Sequence, residues 1–552
     1  MKKKPTLYII IFVVWTLCVV TLCLALAKLL KSSALPSKNG GIIAALLILN
    51  TVILAALWLG SVKDLSFSIA YAVRKKKIDR EYAKIPEYEP DENAPRVALL
   101  YCTCNDFNAK ALSACKKQNY PNYYTVILDD SSDPKYIREI NKYRATHGGV
   151  KIIRRENRTG YKAGNLNNFL KNNDDYDYFV VLDSDEVIPP DYLKGVMKYF
   201  AHFPSCGAVQ AKHVASEGKN VFQKLMGMSV GSNGTTVQVI KNFYGANALI
   251  GHGMTISREC YEKTGGFPLV VAEDISFAVM IKNAGLDIVY APDVVCTEEF
   301  PFSYASLKKR QCKWTQGNLE YMKKFGGEIN KSKMSWFEKA DLKLSHYSLP
   351  VVPVLSFLLT VFTIALGFAG YPVIRYSLAV YSIMILFLCS PLIPDAIVHG
   401  KTKNVFLLIP YFLLNVATYA SLSPMMLATV AAGIFGKKAK FIVTPKNDEK
   451  YGFFRSIAFC ADSLIFGTVI AALSLWACGS VLPVVFIVSG CLLSPFVLML
   501  SNVSVCKKSD RKTTDKLHAS EKAKKPTVVF DGAVCEPAAP HERPSRTTLP
   551  LS

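Results

Sequence analysis

Two apolar segments near the start of the chain, residues 7–30 and 42–62, constrain it more than any other feature. Each has about the twenty residues a helix needs to cross the hydrocarbon core of a bilayer. The first follows Met1-Lys2-Lys3-Lys4, but its apolar run is too long for the apolar core of a signal peptide, and a second span comes after only a short polar link. Both therefore read as anchored helices. Further spans are expected at 350–370, 377–394, 456–477 and 482–501. Of 552 residues 51% are apolar and the mean hydropathy is +0.21, which excludes a simple soluble enzyme.

Charge gives the orientation. Lys and Arg number 65 against 43 Asp and Glu, a net +22. The basic runs flank the apolar segments, as in Arg74-Lys75-Lys76-Lys77, and place the polar region and the N-terminus on the cytoplasmic side. No aromatic-basic nucleic-acid motif accompanies them, so the charge is assigned to anionic lipid and diphosphate, with no nucleic-acid partner. The 15 cysteines are scattered without paired metal-ligand spacing, against a zinc module or disulfide scaffold.

The expected organisation is two N-terminal transmembrane helices (1–62), a cytosolic α/β domain (63–346), a C-terminal membrane domain (347–505) and a disordered cytosolic tail (506–552). Within the membrane domain, residues 404–435 lie between two basic cytoplasmic flanks. At about 1.5 Å per residue they are too short for two crossings and a turn, so they are read as an interfacial segment broken by Pro410 and Pro424. That gives six crossings, with both termini cytoplasmic. Inside the polar domain, short apolar runs at 97–102, 124–128, 151–153 and 178–182 alternate with helical patterns at 109–117, 134–147 and 161–171. Such alternation implies a mainly parallel sheet with ligands at the C-terminal ends of its strands.

Acidic residues stand at those ends. Asp129-Asp130 follow the second strand, and Asp183-Ser184-Asp185 follow the fourth. In extended backbone, i and i+2 side chains share a face, so Asp183 and Asp185 can converge on a hard cation, Mg²⁺ or Mn²⁺, that bridges a diphosphate. Taken alone, an Asp-x-Asp is more often a pair of surface acids. Here the run Asn157-Arg158-Thr159-Gly160-Tyr161-Lys162-Ala163-Gly164-Asn165 adds cations and a glycine turn before a helix start, a setting suited to phosphate. Further on, Glu273-Asp274 precedes a helix at 275–284. A carboxylate there is a candidate general base, and a helix cap is the rival assignment.

In order along the chain, Thr103-Cys104-Asn105-Asp106, Asp129-Asp130, Lys162-Ala163-Gly164-Asn165-Leu166-Asn167, Asp183-x-Asp185, Glu273-Asp274, Arg310-Gln311-Cys312-Lys313-Trp314 and Phe441-Ile442-Val443-Thr444-Pro445-Lys446 resemble the family 2 glycosyltransferases. The likeness is strongest to membrane-embedded polysaccharide synthases such as cellulose synthase. It implies a GT-A, Rossmann-like domain that binds a nucleotide-sugar donor, usually UDP-linked, and a growing glycan acceptor, in contact with membrane lipid; accessory or export subunits are left open. By this resemblance Thr103, Asp129, Asp130, Lys162, Asp183 and Lys313 bind the donor, and Asp185 with Asp183 holds the metal. Asp274, beside Glu273, deprotonates the acceptor and the reaction inverts the anomeric carbon. Trp314, Gly251 and His252 face the acceptor, while Phe441, Val443, Thr444 and Lys446 form a gating loop. His252 is read as a hydrogen-bonding loop residue rather than a metal ligand.

The departures from the family pattern matter. Its Gln-x-x-Arg-Trp is here Arg310-x-x-Lys313-Trp314, which keeps a cation but loses the bidentate fork. Cys104 stands where an aromatic often stacks on uracil, and Ala272 replaces a threonine. The resulting expectation is a processive, inverting hexosyltransferase that extends and translocates a β-linked polysaccharide. A lipid glycosyltransferase, distinguished by a small organic-soluble product, and an inactive scaffold of a synthase complex are the alternatives.

Overall fold

The computed structural model describes residues 3–31, 39–400, 405–439 and 449–505. The four expected strands form as β1 (Val97–Thr103), β2 (Tyr123–Asp129), β3 (Val150–Ile153) and β4 (Tyr178–Leu182). Three more, unmarked by the sequence pattern, follow as β5 (Cys206–Ala215), β6 (Met254–Ser257) and β7 (Asp287–Glu298). The sheet order is β3-β2-β1-β4-β6-β5-β7. β3, β2, β1 and β4 pair in parallel, β6 runs antiparallel to both neighbours, and β5 pairs in parallel with β7. This is the mainly parallel, Rossmann-like sheet of the GT-A fold.

Both faces of the sheet are covered. Leu99, Tyr101, Ile127, Val180 and Leu182 enter one core, while Leu100, Val126, Leu128 and Val181 enter the other. Burial on both sides explains why these strands read as unbroken apolar runs. Each fully buried Leu or Val contributes about 1.5–3 kcal/mol. The Pro134–His147 helix begins where the sequence placed it, because the Asp133 side chain accepts the Lys135 amide and Pro134 occupies the first turn, where its missing N–H is no loss.

Seven helices among the described residues have the length and composition to cross a membrane. Six follow the expected segments. The seventh is Leu408–Ile434, within the stretch assigned above to the interface. There the helix Val405–Ser421 runs through Pro410, so this proline does not break it. The break falls at Leu422, and Pro424 opens the first turn of Ser423–Ile434. The second N-terminal helix also departs from expectation, for Gly40–Tyr82 is continuous over 43 residues. At about 1.5 Å per residue it is roughly twice as long as the hydrocarbon core is thick. Its basic half carries the chain directly onto the α/β domain, where Tyr71 and Ile78 share a core with Val237, Ile240 and Phe337.

The Tyr304–Lys331 helix joins the domain to the apolar helices. The Ser421 hydroxyl donates to Tyr304 Oη at 2.8 Å, Lys308 pairs with Asp462 at 2.6 Å, and Lys323 donates to the Gly433 carbonyl at 2.7 Å. Phe441, Val443, Thr444, Lys446 and the tail 506–552 lie outside the described residues.

Candidate active site

The C-terminal ends of β1, β2 and β4 meet as the parallel order requires. At the end of β1, Thr103 donates to Asp106 Oδ1 at 2.9 Å, and Ser184 donates to the other oxygen of the same carboxylate at 2.5 Å. The Thr103 turn is thus tied to the Asp183-Ser184-Asp185 turn after β4. Next to it the Asp130 amide donates to the Thr103 carbonyl at 2.9 Å.

Asp129 and Asp130 are both paired with arginines that the sequence reading passed over. Arg154 reaches Asp129 at 2.6 Å. Arg155 grips Asp130 with two bonds of 2.9 and 2.7 Å and also donates to the carbonyls of Thr159 and Tyr161 at 2.7 Å. The signal was present as a double cation immediately after β3. Through Arg155, Asp130 holds the glycine turn that opens the Tyr161–Lys171 helix. In that turn Gly160 and Tyr161 take φ of 76° and 51°, the left-handed region that favours glycine.

Lys162, in the first turn of this helix, is largely enclosed between Asp183 and the Gly251 carbonyl, to which it donates at 2.6 Å. Burial opposes its charge, but Asp183 and the nearby Glu273 raise its pKa overall. Asp183 remains about two-fifths exposed, and Asp185 is partly exposed beside it. Their oxygens at an open strand end suit a hard divalent cation.

Asp274 stands next to Gly251. A methyl group on that glycine, whose φ is 91°, would lie 3.2 Å from Asp274 Oδ2. The helix Glu273–Asn283 takes Ala272 as its N-cap, so Asp274 is not the cap, although its Oδ1 accepts the Ile275 amide at 2.8 Å. Burial raises the carboxyl pKa of both Glu273 and Asp274, and the charge of Asp274 adds to the effect on Glu273. Lys313 faces the same group. Burial lowers its pKa, against the attraction of Asp183, Glu273 and Asp274. One turn earlier on the same helix, Arg310 lies 4.7 Å from the Phe300 ring and 4.5 Å from that of Trp314, with Glu298 and Asp185 in its electrostatic surroundings. Trp314 is 43% exposed.

His252 turns inward. Its Nδ1 is 3.3 Å from Glu186 and its Nε2 3.0 Å from Glu298, and its ring stacks on His213 with centroids 4.3 Å apart. The backbone of the 251–253 loop, rather than the imidazole, meets Lys162. Glu186, His213 and Glu298 were not singled out in the sequence, because they come from separate strands and fit no local pattern.

The fold and site together define a Rossmann-like GT-A domain mounted on apolar helices, with acids, two lysines and a carboxylate-bearing helix start gathered at the strand ends. Residues 95–317 match the model of the family described as glycosyltransferase like family 2. A curated relative, glucomannan 4-beta-mannosyltransferase 7 of Arabidopsis thaliana, is 28% identical over 237 residues, 40% of this chain and 42% of the relative. The match thus spans less than half the length of that protein. Among solved structures, the mannosyltransferase PcManGT from Pyrobaculum calidifontis, in complex with GDP-Man and Mn²⁺, is 21% identical and aligns over 71% of this chain and 99% of that one, with a TM-score of 0.45. S. aureus TarS 1-349 in complex with UDP-GlcNAc is 15% identical over 55% of this chain and 92% of its own, with a TM-score of 0.33. The likeness to the family 2 glycosyltransferases thus lies in residues 95–317.

Proposed function

We propose that the chain transfers a hexosyl unit from a nucleoside-diphosphate sugar to the end of a β-linked glycan, with inversion, and passes the product between its apolar helices. The observation that carries this reading is the convergence of Asp183, Lys162, Asp274 and Lys313 around Gly251. Lys162 and Lys313 hold the diphosphate, and Asp130, fixed by Arg155, borders the nucleoside. Asp185 with Asp183 would hold Mg²⁺ or Mn²⁺, which when bound supplies positive charge against the departing diphosphate. Asp274 accepts the proton of the acceptor hydroxyl. The freed oxygen attacks the anomeric carbon as the bond to the nucleoside diphosphate breaks on the opposite face.

The exposed ring of Trp314 beside this group suits stacking with an acceptor sugar, and the docking of the Tyr304–Lys331 helix onto the apolar helices supports a path from site to membrane. The cytoplasmic placement of the domain rests on the basic flanks. The name of the curated relative adds a mannosyl donor to the UDP-sugars expected from the sequence. The test is nucleotide release by the full chain in membranes with a panel of UDP- and GDP-sugars plus Mn²⁺ or Mg²⁺, followed by sizing of the product. One donor should give sustained release and a product too large to extract into organic solvent. Release from none of them overturns the reading, and a small lipid product redirects it to a lipid acceptor.

A further inference from the structure

Directly behind the strand ends lies a polar cluster that the transfer chemistry does not use. Glu186 follows β4, His213 is on β5, His252 precedes β6 and Glu298 ends β7. Glu186 is fully buried and His213 nearly so. Glu186 Oε1 lies 3.7 Å from His213 Nε2 and 3.3 Å from His252 Nδ1, and all three atoms fall within 4.8 Å of one another. Ligands of a tetrahedral ion at bond lengths near 2.0–2.1 Å stand about 3.3–3.4 Å apart.

Four independent observations point to an ion. Glu186 Oε1 and His252 Nδ1, 3.3 Å apart, are buried without a hydrogen-bond partner, whereas His213 Nε2 has Gln210 Nε2 at 3.3 Å, a contact it exchanges for the ion. Each imidazole turns its other nitrogen to Glu298, His252 Nε2 at 3.0 Å and His213 Nδ1 at 3.6 Å. A carboxylate on the distal nitrogen is the outer-sphere arrangement that fixes a ligating histidine in its coordinating tautomer. The second oxygen of Glu186 is likewise occupied, accepting the Gly253 amide at 3.0 Å and the Asp183 amide at 3.4 Å. Finally, Gly253 leaves the space open. A methyl there would sit 2.5 Å from both Glu186 Oε1 and His213 Nε2 and 3.3 Å from Cys296 Sγ, so a soft donor flanks the fourth side.

Charge gives the same answer. Two carboxylates and two neutral imidazoles leave two buried negative charges. One imidazolium would cancel half of that, and two would set like charges in stacked rings 4.3 Å apart. A divalent ion neutralises the group completely. Two nitrogen donors with one oxygen select a borderline transition ion over Mg²⁺ or Ca²⁺.

We propose that Glu186, His213 and His252 bind a resident Zn²⁺, with Glu298 orienting the imidazoles, and that this ion is separate from any cation held by Asp183 and Asp185. Its place is structural. It pins the 251–253 loop to the end of β4 and so sets the Gly251 carbonyl against which Lys162 rests.

The experiment is metal analysis of the untagged full chain in detergent, washed with chelator to remove exchangeable ions and read by inductively coupled plasma mass spectrometry. One zinc per chain is expected. His213→Gln and His252→Gln should each lower zinc occupancy at least about tenfold, and Glu298→Gln should weaken zinc retention about 10–100-fold. Asp185→Asn should keep the zinc. Less than about a tenth of an equivalent in the wild-type chain, full retention in both histidine variants, or loss in Asp185→Asn overturns the proposal. Should the ligand variants not fold, X-ray absorption at the zinc edge of the wild-type protein decides: two imidazoles in the shell support the site, and an all-oxygen shell sinks it. Zinc content and nucleotide release are read separately, so either reading can fail without the other.

Discussion

Asp274 is where the chemistry of this site is most exposed to test. Asp274→Asn keeps the shape and the Ile275 contact but cannot take a proton, so nucleotide-sugar turnover should fall by at least about 10²-fold, the lower range for a lost general base. Nucleotide affinity, measured by titration, should change little; unchanged turnover removes Asp274 from the mechanism. Its pKa gives a second prediction. Burial raises the carboxyl above the ordinary aspartate range, and the base acts only when ionised. Activity should therefore fall as pH drops through that raised value, leaving an acid limb higher than a surface aspartate would give. Lys313 works in the opposite sense, since burial lowers its pKa and its charge is lost earlier as pH rises. Lys313→Arg should move the alkaline limb of kcat/KM upward, and a limb that stays in place would free Lys313 of that role. Asp183, Asp274 and Lys162 were legible as residue types at strand ends and helix starts, and Lys313 only through the resemblance of the Arg310-x-x-Lys313-Trp314 run. The pairing of Asp129 and Asp130 with Arg154 and Arg155 was not, because it depends on β3 lying beside β2.

The Tyr161–Lys171 helix shows why a short motif needs its glycine. A methyl group on Gly164 would run into the Thr159 carbonyl oxygen and press on Arg155 Nη1, both fixed by the turn that places Lys162. Gly164→Ala should cost about 1–3 kcal/mol, the usual range for overpacking, and weaken nucleotide binding along with stability. Thermal unfolding and nucleotide titration together check it; a variant with wild-type melting and affinity would mean that the turn yields freely. Among the elements, β1 to β4 and the helices between them were readable because their apolar and helical periods were clean. β7 was hidden by Pro292 and Asp293 within its run, and β6 because its apolar residues alternate with polar ones in Met254-Thr255-Ile256-Ser257 instead of forming an apolar run. The polar half of Gly40–Tyr82 read as the start of the α/β domain, because sequence marks where lipid exposure ends rather than where a helix ends.

At the scale of the whole molecule, a buried carboxylate ties the membrane-proximal helices to the loop beneath the site. Asp341, fully buried in the Trp336–His346 helix, accepts the Tyr8 hydroxyl at 2.7 Å and the Ala246 amide at 2.8 Å, and faces Lys241 at 3.5 Å. Lys63 adds its charge from the Gly40–Tyr82 helix, and its amine donates to Ser345 at 3.3 Å. Tyr8 belongs to the first apolar helix, while Ala246 begins the stretch that reaches Gly251, so one side chain couples anchor and active site. Removing it leaves Lys241 buried without its carboxylate, while Lys63 keeps Asp64 at 3.3 Å, and breaking a buried pair in this way costs about 3–5 kcal/mol. Asp341→Ala should lower the melting temperature of the detergent-solubilised chain by several degrees, with Asp341→Asn between it and wild type. Burial works against the Asp341 charge, but Lys241 and Lys63 hold its pKa below the usual carboxylate range. Its stabilisation is therefore present above the ordinary aspartate pKa and lost as pH falls through the depressed value. The gap between wild type and Asp341→Ala should accordingly be full near neutral pH and close on acidification. A gap that persists unchanged into strong acid would assign the loss to the cavity rather than to the charge.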